Sequence, residues 1–202
     1  MLILVRHGQT DANAAGLLQG HADRPLNNLG RAQAGACAAT LASVVANGAT
    51  VVSSPLIRAQ QTAAIIGNGR PVEVQPEWIE LNYGKYDLRP TAEVPADVWK
   101  SWRTSLAFAP PDGESIGALG ERVRRACVEL AERARIGDVI VVSHVSPIKA
   151  AVAWALGVGD ETSWRMRLDQ ATITRVTVGP HGPALVSFNE TWHLASLVST
   201  LA

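Results

Sequence analysis

The stretch "GDVIVVSHVSPIKAAVAWALG", residues 137–157, decides the fold. A run of Val and Ile stops at Ser143 and His144, and an Ala-rich segment follows with Pro147 near its start. The run is short and continuously apolar, as in a strand buried on both faces. Proline is tolerated in the first turn of a helix, so a helix is read after the turn.

The same order occurs twice more. "LILV" (2–5) runs into a polar turn, and 29–47, "LGRAQAGACAATLASVVAN", reads as a helix stopped by Asn47 and Gly48. "TVVSS" (50–54) is a second buried strand, followed by a helix at "PLIRAQQTAAIIG" (55–67) with Pro55 in its first turn. This repetition implies parallel strands with helices between them, an α/β fold whose site lies at the strand ends.

Elsewhere, Ile116, Leu119, Val123, Cys127, Leu130 and Ala134 recur at helical spacing, so 114–135 reads as an amphipathic helix. "TITRVTV" and "ALVSF", separated by "GPHGP", read as a terminal hairpin. Residues 77–112, with Trp78, Trp99, Trp102 and "PPDG", are irregular. They read either as a lid-like insertion beside the site or as an excursion packed by its tryptophans.

The 202 residues fit a single domain, 1–202, with 47% hydrophobic and 18% charged residues and no low-complexity tract. Lys+Arg and Asp+Glu balance at 18 each, which argues against a nucleic-acid groove or a membrane-surface patch. "MLILV" is too short for a signal-peptide core, and no window approaches a membrane span. Cys37 and Cys127 suggest neither a disulfide framework nor a zinc site, so a cytoplasmic setting is expected.

The strand-to-helix junctions carry Arg6 with His7, Arg58, and His144. In a parallel sheet these groups share one edge, and such a cationic cluster calls for an anion, naturally a phosphate. Neighbouring arginines keep the imidazoles neutral, so His7 can act as a nucleophile through Nε2 if Nδ1 donates to a carbonyl. The leaving group needs an acid opposite His7; Glu80 is chosen, with Glu77, Asp87 and Glu114 as rivals. No Asp and His cluster at metal-ligand spacing is visible, so neither metal nor cofactor is invoked.

Six ordered blocks, "LVRHGQTDAN", "GHADRPLNNLGRAQA", "SSPLIRAQQTA", "ELNYGKYD", "PDGES" and "VVSHVSPIKA", resemble the histidine phosphatase superfamily, the phosphoglycerate mutase-like clan. The resemblance runs from residue 1 to about 157. It implies a three-layer α/β/α sandwich around a largely parallel sheet. It makes His7 the phosphorylated nucleophile, Arg6, Arg58 and His144 the phosphate pocket, and Glu80 the proton donor. Asn13 and Gln19 match positions that reach the phosphate, and Val145 is counted with them as substrate-binding.

Val145 and Ser146 stand where two glycines are common, and Asp87 stands where a Glu-Gly pair is often seen. The His-Val-Ser-Pro variant resembles acid phosphatase and α-ribazole phosphatase-like members. The expected function is therefore a metal-independent phosphomonoesterase acting on a small phosphorylated metabolite through phospho-His7. A bisphosphoglycerate-dependent phosphoglycerate mutase and a silent phospho-ligand binding module are the alternatives. A primer requirement marks the mutase, and the chain's shortness disfavours it; loss of a core residue marks the silent module. His21, His181 and His193 are read as structural, Asn28 as a helix cap, and Glu114 and Ser115 as a helix start. A monomer and a homodimer are both open.

Overall fold

The computed structural model describes residues 1–46 and 48–198. In chain order the elements are β1 (Leu2–Arg6), α1 (Asp11–Ala14), α2 (Asn28–Ala42), β2 (Thr50–Ser53), α3 (Ile57–Gly67) and β3 (Val72–Val74). A segment with three short 3-10 turns leads to α4 (Ala96–Thr104) and α5 (Ile116–Ile136). Then come β4 (Val139–Ser143), α6 (Val145–Leu156), β5 (Ile173–Gly179), β6 (Gly182–Glu190) and α7 (Ala195–Val198).

The six strands form one sheet in the order β3-β2-β4-β1-β5-β6. β1, β2, β3 and β4 are mutually parallel, while β5 pairs antiparallel with both β1 and β6. The predicted hairpin is therefore β5–β6, and it extends the parallel sheet on the far side of β1.

Alternation along each strand divides the core between two faces. Leu2, Leu4, Val139 and Val141 pack with Leu119, Val123 and Leu130 of α5 and Ile148 of α6. Ile3, Val5, Ile140 and Val142 pack on the opposite face with Cys37 and Leu41 of α2 and Ala59, Ala63 and Ile66 of α3. Strands buried on both faces explain the unbroken apolar runs, and helices on both faces make the sandwich three-layered.

Several local readings are corrected. α2 ends at Ala42, well before 47, and Asn47 lies outside the described residues. Its cap is Asn27 rather than Asn28: the Asn27 side chain accepts from Gly30 N at 2.9 Å. Pro55 lies before α3, and the chain there is capped from afar, with Asp23 Oδ1 accepting from Ile57 N at 2.7 Å. Ser115 does cap α5, accepting from Ala118 N at 3.1 Å. In the 77–112 segment Trp78 and Trp102 are buried, and Trp102 meets Tyr83, Tyr86 and Phe108 edge-on.

Candidate active site

Parallel register brings three strand ends level. Arg6 pairs with Ser143 and Ser53 with Val142, so the next residues, His7, Ser54 and His144, leave the sheet side by side. The ladder continues one step further, with His7 N donating to Ser143 O at 2.9 Å and Ser54 N to Val142 O at 3.0 Å. β4 lies between β1 and β2, which sets His144 between the other two junctions.

Arg58, in the first turn of α3 and fully buried, ties the two histidines together. Its Nε donates to His7 Nε2 and to His144 Nδ1, each at 3.2 Å. Its terminal nitrogens donate to Ala22 O at 3.0 Å and Gly20 O at 2.7 Å. Both imidazoles therefore accept on the inner nitrogen and need a donor role on the outer one. His7 Nδ1 donates to Gly8 O at 2.7 Å, and His144 Nε2 donates to Ser54 Oγ at 2.7 Å.

Electrostatics agrees with that tautomer pattern. Burial, then Arg58 and Arg6, holds His7 well below the usual histidine range. Burial, then Arg58, His7 and Arg6, does the same for His144. Burial also pulls Arg58 down to about 10, still protonated at neutral pH. The result is a neutral imidazole whose Nε2 lone pair faces a guanidinium, a nucleophile poised beside an anion clamp.

Arg6 donates through one terminal nitrogen to Leu168 O at 2.7 Å. Its buried Nε has no hydrogen-bond partner among the described residues, which leaves donor capacity for a ligand. Glu80, also buried, rests on the start of α6: Oε2 accepts from Val145 N at 3.1 Å and Oε1 from Ser146 N at 3.2 Å. Oε1 also accepts from Leu81 N at 2.7 Å, so the open acceptor position is on Oε2. The structure thus brings Arg6, His7, Arg58, His144 and Glu80 to one edge of the sheet.

The family model of the histidine phosphatase superfamily (branch 1) matches residues 2–191. The chain belongs to this superfamily. It is 32% identical over 183 residues to an adenosylcobalamin/alpha-ribazole phosphatase of Escherichia coli, covering 88% of this chain and 89% of the relative. A probable phosphoglycerate mutase of Yersinia enterocolitica is 33% identical over 183 residues, covering 87% and 83%. A mutant phosphoserine phosphatase of Entamoeba histolytica, solved with phosphoserine, superposes with a TM-score of 0.86 at 28% identity, covering 96% and 98%. The sandwich that the resemblance implied is the fold shared with that structure, and the chain is an enzyme of the histidine phosphatase type.

In this histidine phosphatase the remaining candidates have local duties. Asn13 closes a capping box on α1, its Oδ1 accepting from Thr10 N at 3.2 Å. Gln19 Oε1 accepts from Thr10 Oγ1 at 2.6 Å, and its Nε2 donates to Ala22 O at 3.3 Å. Val145 supplies its amide to Glu80 and lines the neighbouring cavity.

Two rivals of Glu80, Asp87 and Glu114, have carboxylates engaged elsewhere. Asp87 accepts from Gly20 N at 2.8 Å and Ala22 N at 2.7 Å, which fixes the loop whose carbonyls hold Arg58. Glu114, just before the Ser115 cap of α5, forks with Arg122 at 2.8 and 2.9 Å. Glu77 contributes its carbonyl to Arg122 at 2.6 Å.

Two features went unread in the sequence. Ser54 fixes the His144 tautomer, and its place right after "VVS" follows the same junction logic as His7 and His144. Gly8 and Gly30 lie backbone to backbone: a Cβ on Gly8 would fall 2.3 Å from Gly30 O, and one on Gly30 would fall 2.0 Å from Gln9 O. The start of α2 therefore props the turn that aims His7. Beyond Glu80 opens a cavity of about 130 Å³ lined by Tyr83, Trp99, Val145, Ser146, Lys149 and Trp164 among others.

Proposed function

We propose that the chain is a metal-independent phosphomonoesterase that hydrolyses a small phosphorylated metabolite through a phosphohistidine at His7. The observation that carries this reading is the Arg58 bridge, which leaves His7 Nε2 with its lone pair beside the clamp while Nδ1 is engaged by Gly8 O. Arg58 and Arg6 take the phosphate oxygens as donors, and His144 joins them when its Nε2–H turns from Ser54 Oγ to the phosphate. His7 Nε2 forms a bond to phosphorus, the ester P–O bond breaks, and protonated Glu80 gives its proton to the leaving alkoxide. Water then attacks phosphorus and gives a proton to the Glu80 carboxylate. The P–N bond breaks, its electron pair returns to His7, and inorganic phosphate leaves.

Asn13 and Gln19 border the phosphate in this reading, and the 77–112 segment closes the organic side. The proposed step draws its charge stabilisation from Arg58 and Arg6 and its proton from Glu80, so it calls for no metal ion. No helix among the described residues is long and apolar enough to cross a membrane. Two buried free cysteines support a reducing, cytoplasmic setting.

The test is phosphate release from 4-nitrophenyl phosphate with chelator present, for wild type and His7→Ala side by side. Release that survives chelator and vanishes in the variant supports the reading, as does a phosphorylated wild-type protein trapped by acid quench. Release unaffected by His7→Ala overturns it, and primer-dependent interconversion of 3- and 2-phosphoglycerate without phosphate release moves the assignment to a mutase.

A further inference from the structure

Lys149 is the cation among the described residues lining the cavity beside Glu80. It sits on α6 four residues after Val145 and three after Ser146, so all three share one helix face. Helical side chains lean toward the N-terminus, which carries the Lys149 ammonium toward the end of α6 where Glu80 and His144 stand. The cavity walls are otherwise largely apolar, with Leu81, Ile116, Leu119, Trp99 and Trp164.

Among the described residues Lys149 makes no hydrogen bond or ion pair, although it is half-buried. Glu80 attracts it, but the two form no ion pair, and the Glu80 carboxylate rests on the amides of Leu81, Val145 and Ser146. Burying an ammonium without a partner is costly, and burial does pull Lys149 below the usual lysine range. A cation kept in an apolar cavity next to a phosphoryl site fits a second anionic group on the substrate. One ammonium matches a single negative charge, a carboxylate, better than a second phosphate with charge near two.

Resting on the phosphatase reading above, we propose that Lys149 is a specificity-determining residue that binds a carboxylate on the organic part of the substrate. The substrate is then a phosphorylated small hydroxy acid, with its phosphate at Arg58 and its carboxylate at Lys149. The aromatic walls enclose the carbons between.

The test uses 3-phosphoglycerate and glycerol 3-phosphate, which differ in a carboxylate against a hydroxymethyl group. Phosphate release is measured for wild type, K149M and K149R, and binding of both compounds is measured by calorimetry in His7→Ala and in His7→Ala combined with K149M. K149M should lower kcat/KM for the carboxylate compound about ten- to a hundredfold more than for glycerol 3-phosphate, chiefly through KM, with K149R restoring most of the difference. Equal losses on both compounds, or a wild type that does not discriminate between them, overturn the proposal. No turnover of any ester, with a Lys149-dependent binding contrast intact, strikes down the phosphatase reading and upholds the carboxylate site. Turnover without that contrast does the reverse.

Discussion

Replacing Glu80 with glutamine separates two duties that the geometry combines in one side chain. The carboxylate accepts from three backbone amides, those of Leu81, Val145 and Ser146, and two of these belong to the first turn of α6. An amide oxygen can keep the two bonds made by Oε1, but its NH2 group then faces the Val145 N–H, leaving a buried donor unpartnered. That loss, together with removal of a negative charge from a helix N-terminus, costs about 2–4 kcal/mol. In a chain of this size it lowers Tm by at least about 4 °C. Activity should fall by about 10² to 10⁴ with alkyl phosphates and much less with 4-nitrophenyl phosphate, whose leaving group hardly needs a proton. Calorimetric melting and kcat across a series of leaving groups read the two effects apart. A uniform loss along that series refutes the acid role, and an unchanged Tm refutes the anchoring of α6.

Other predictions follow from the same contacts. His7 and His144 are held neutral by burial, so their folded pKa values lie below the unfolded 6.5, and protons bind preferentially to the unfolded chain as pH falls. Their contribution is present above pH 6.5 and lost below it, on the order of 1 kcal/mol per histidine across one to two pH units, measured by urea unfolding against a double His→Asn variant. Equal pH dependence in both proteins rules that out. Arg58→Ala should reduce kcat/KM on the order of a hundredfold or more. The same variant should also raise hydrogen exchange in the 20–22 loop, whose carbonyls lose their donors; protection equal to wild type counts against the loop coupling. Gly30→Ala places a Cβ 2.0 Å from Gln9 O. It should cost about 1–3 kcal/mol in stability and slow turnover, and a variant matching wild type in both discounts the propping of the His7 turn.

Most of the catalytic edge was legible because Arg6, His7, Arg58 and His144 lie at or just beyond the ends of strands whose apolar runs are buried on both faces. Arg6, His7 and His144 are set by register with β4, and periodicity identifies such strands well. β3 escaped because "VEV" is a three-residue edge strand, mostly exposed, with no apolar run to announce it. The early Pro55 was misplaced because α3 takes its cap from Asp23, a partner that only tertiary contact supplies. The choice among Glu77, Glu80, Asp87 and Glu114 was likewise invisible in spacing. What separates them is occupancy: Asp87 is held by two loop amides, Glu114 by Arg122, and Glu80 by the start of α6. The lone lysine of the cavity gave no signal, since a helical Lys ordinarily faces water.

The position of β4 between β1 and β2 has a consequence for biosynthesis. The first two strands share no hydrogen bonds with each other; both must wait for residues 139–143 to be inserted between them. During translation more than half of the chain, including His7 and Arg58, is therefore made before the sheet can close. Until then His7 has no His144 opposite it and Glu80 has no helix end to rest on. The nascent enzyme stays silent toward phosphorylated metabolites, and an exposed pair of apolar strands awaiting its middle member is the stage most in need of chaperone protection.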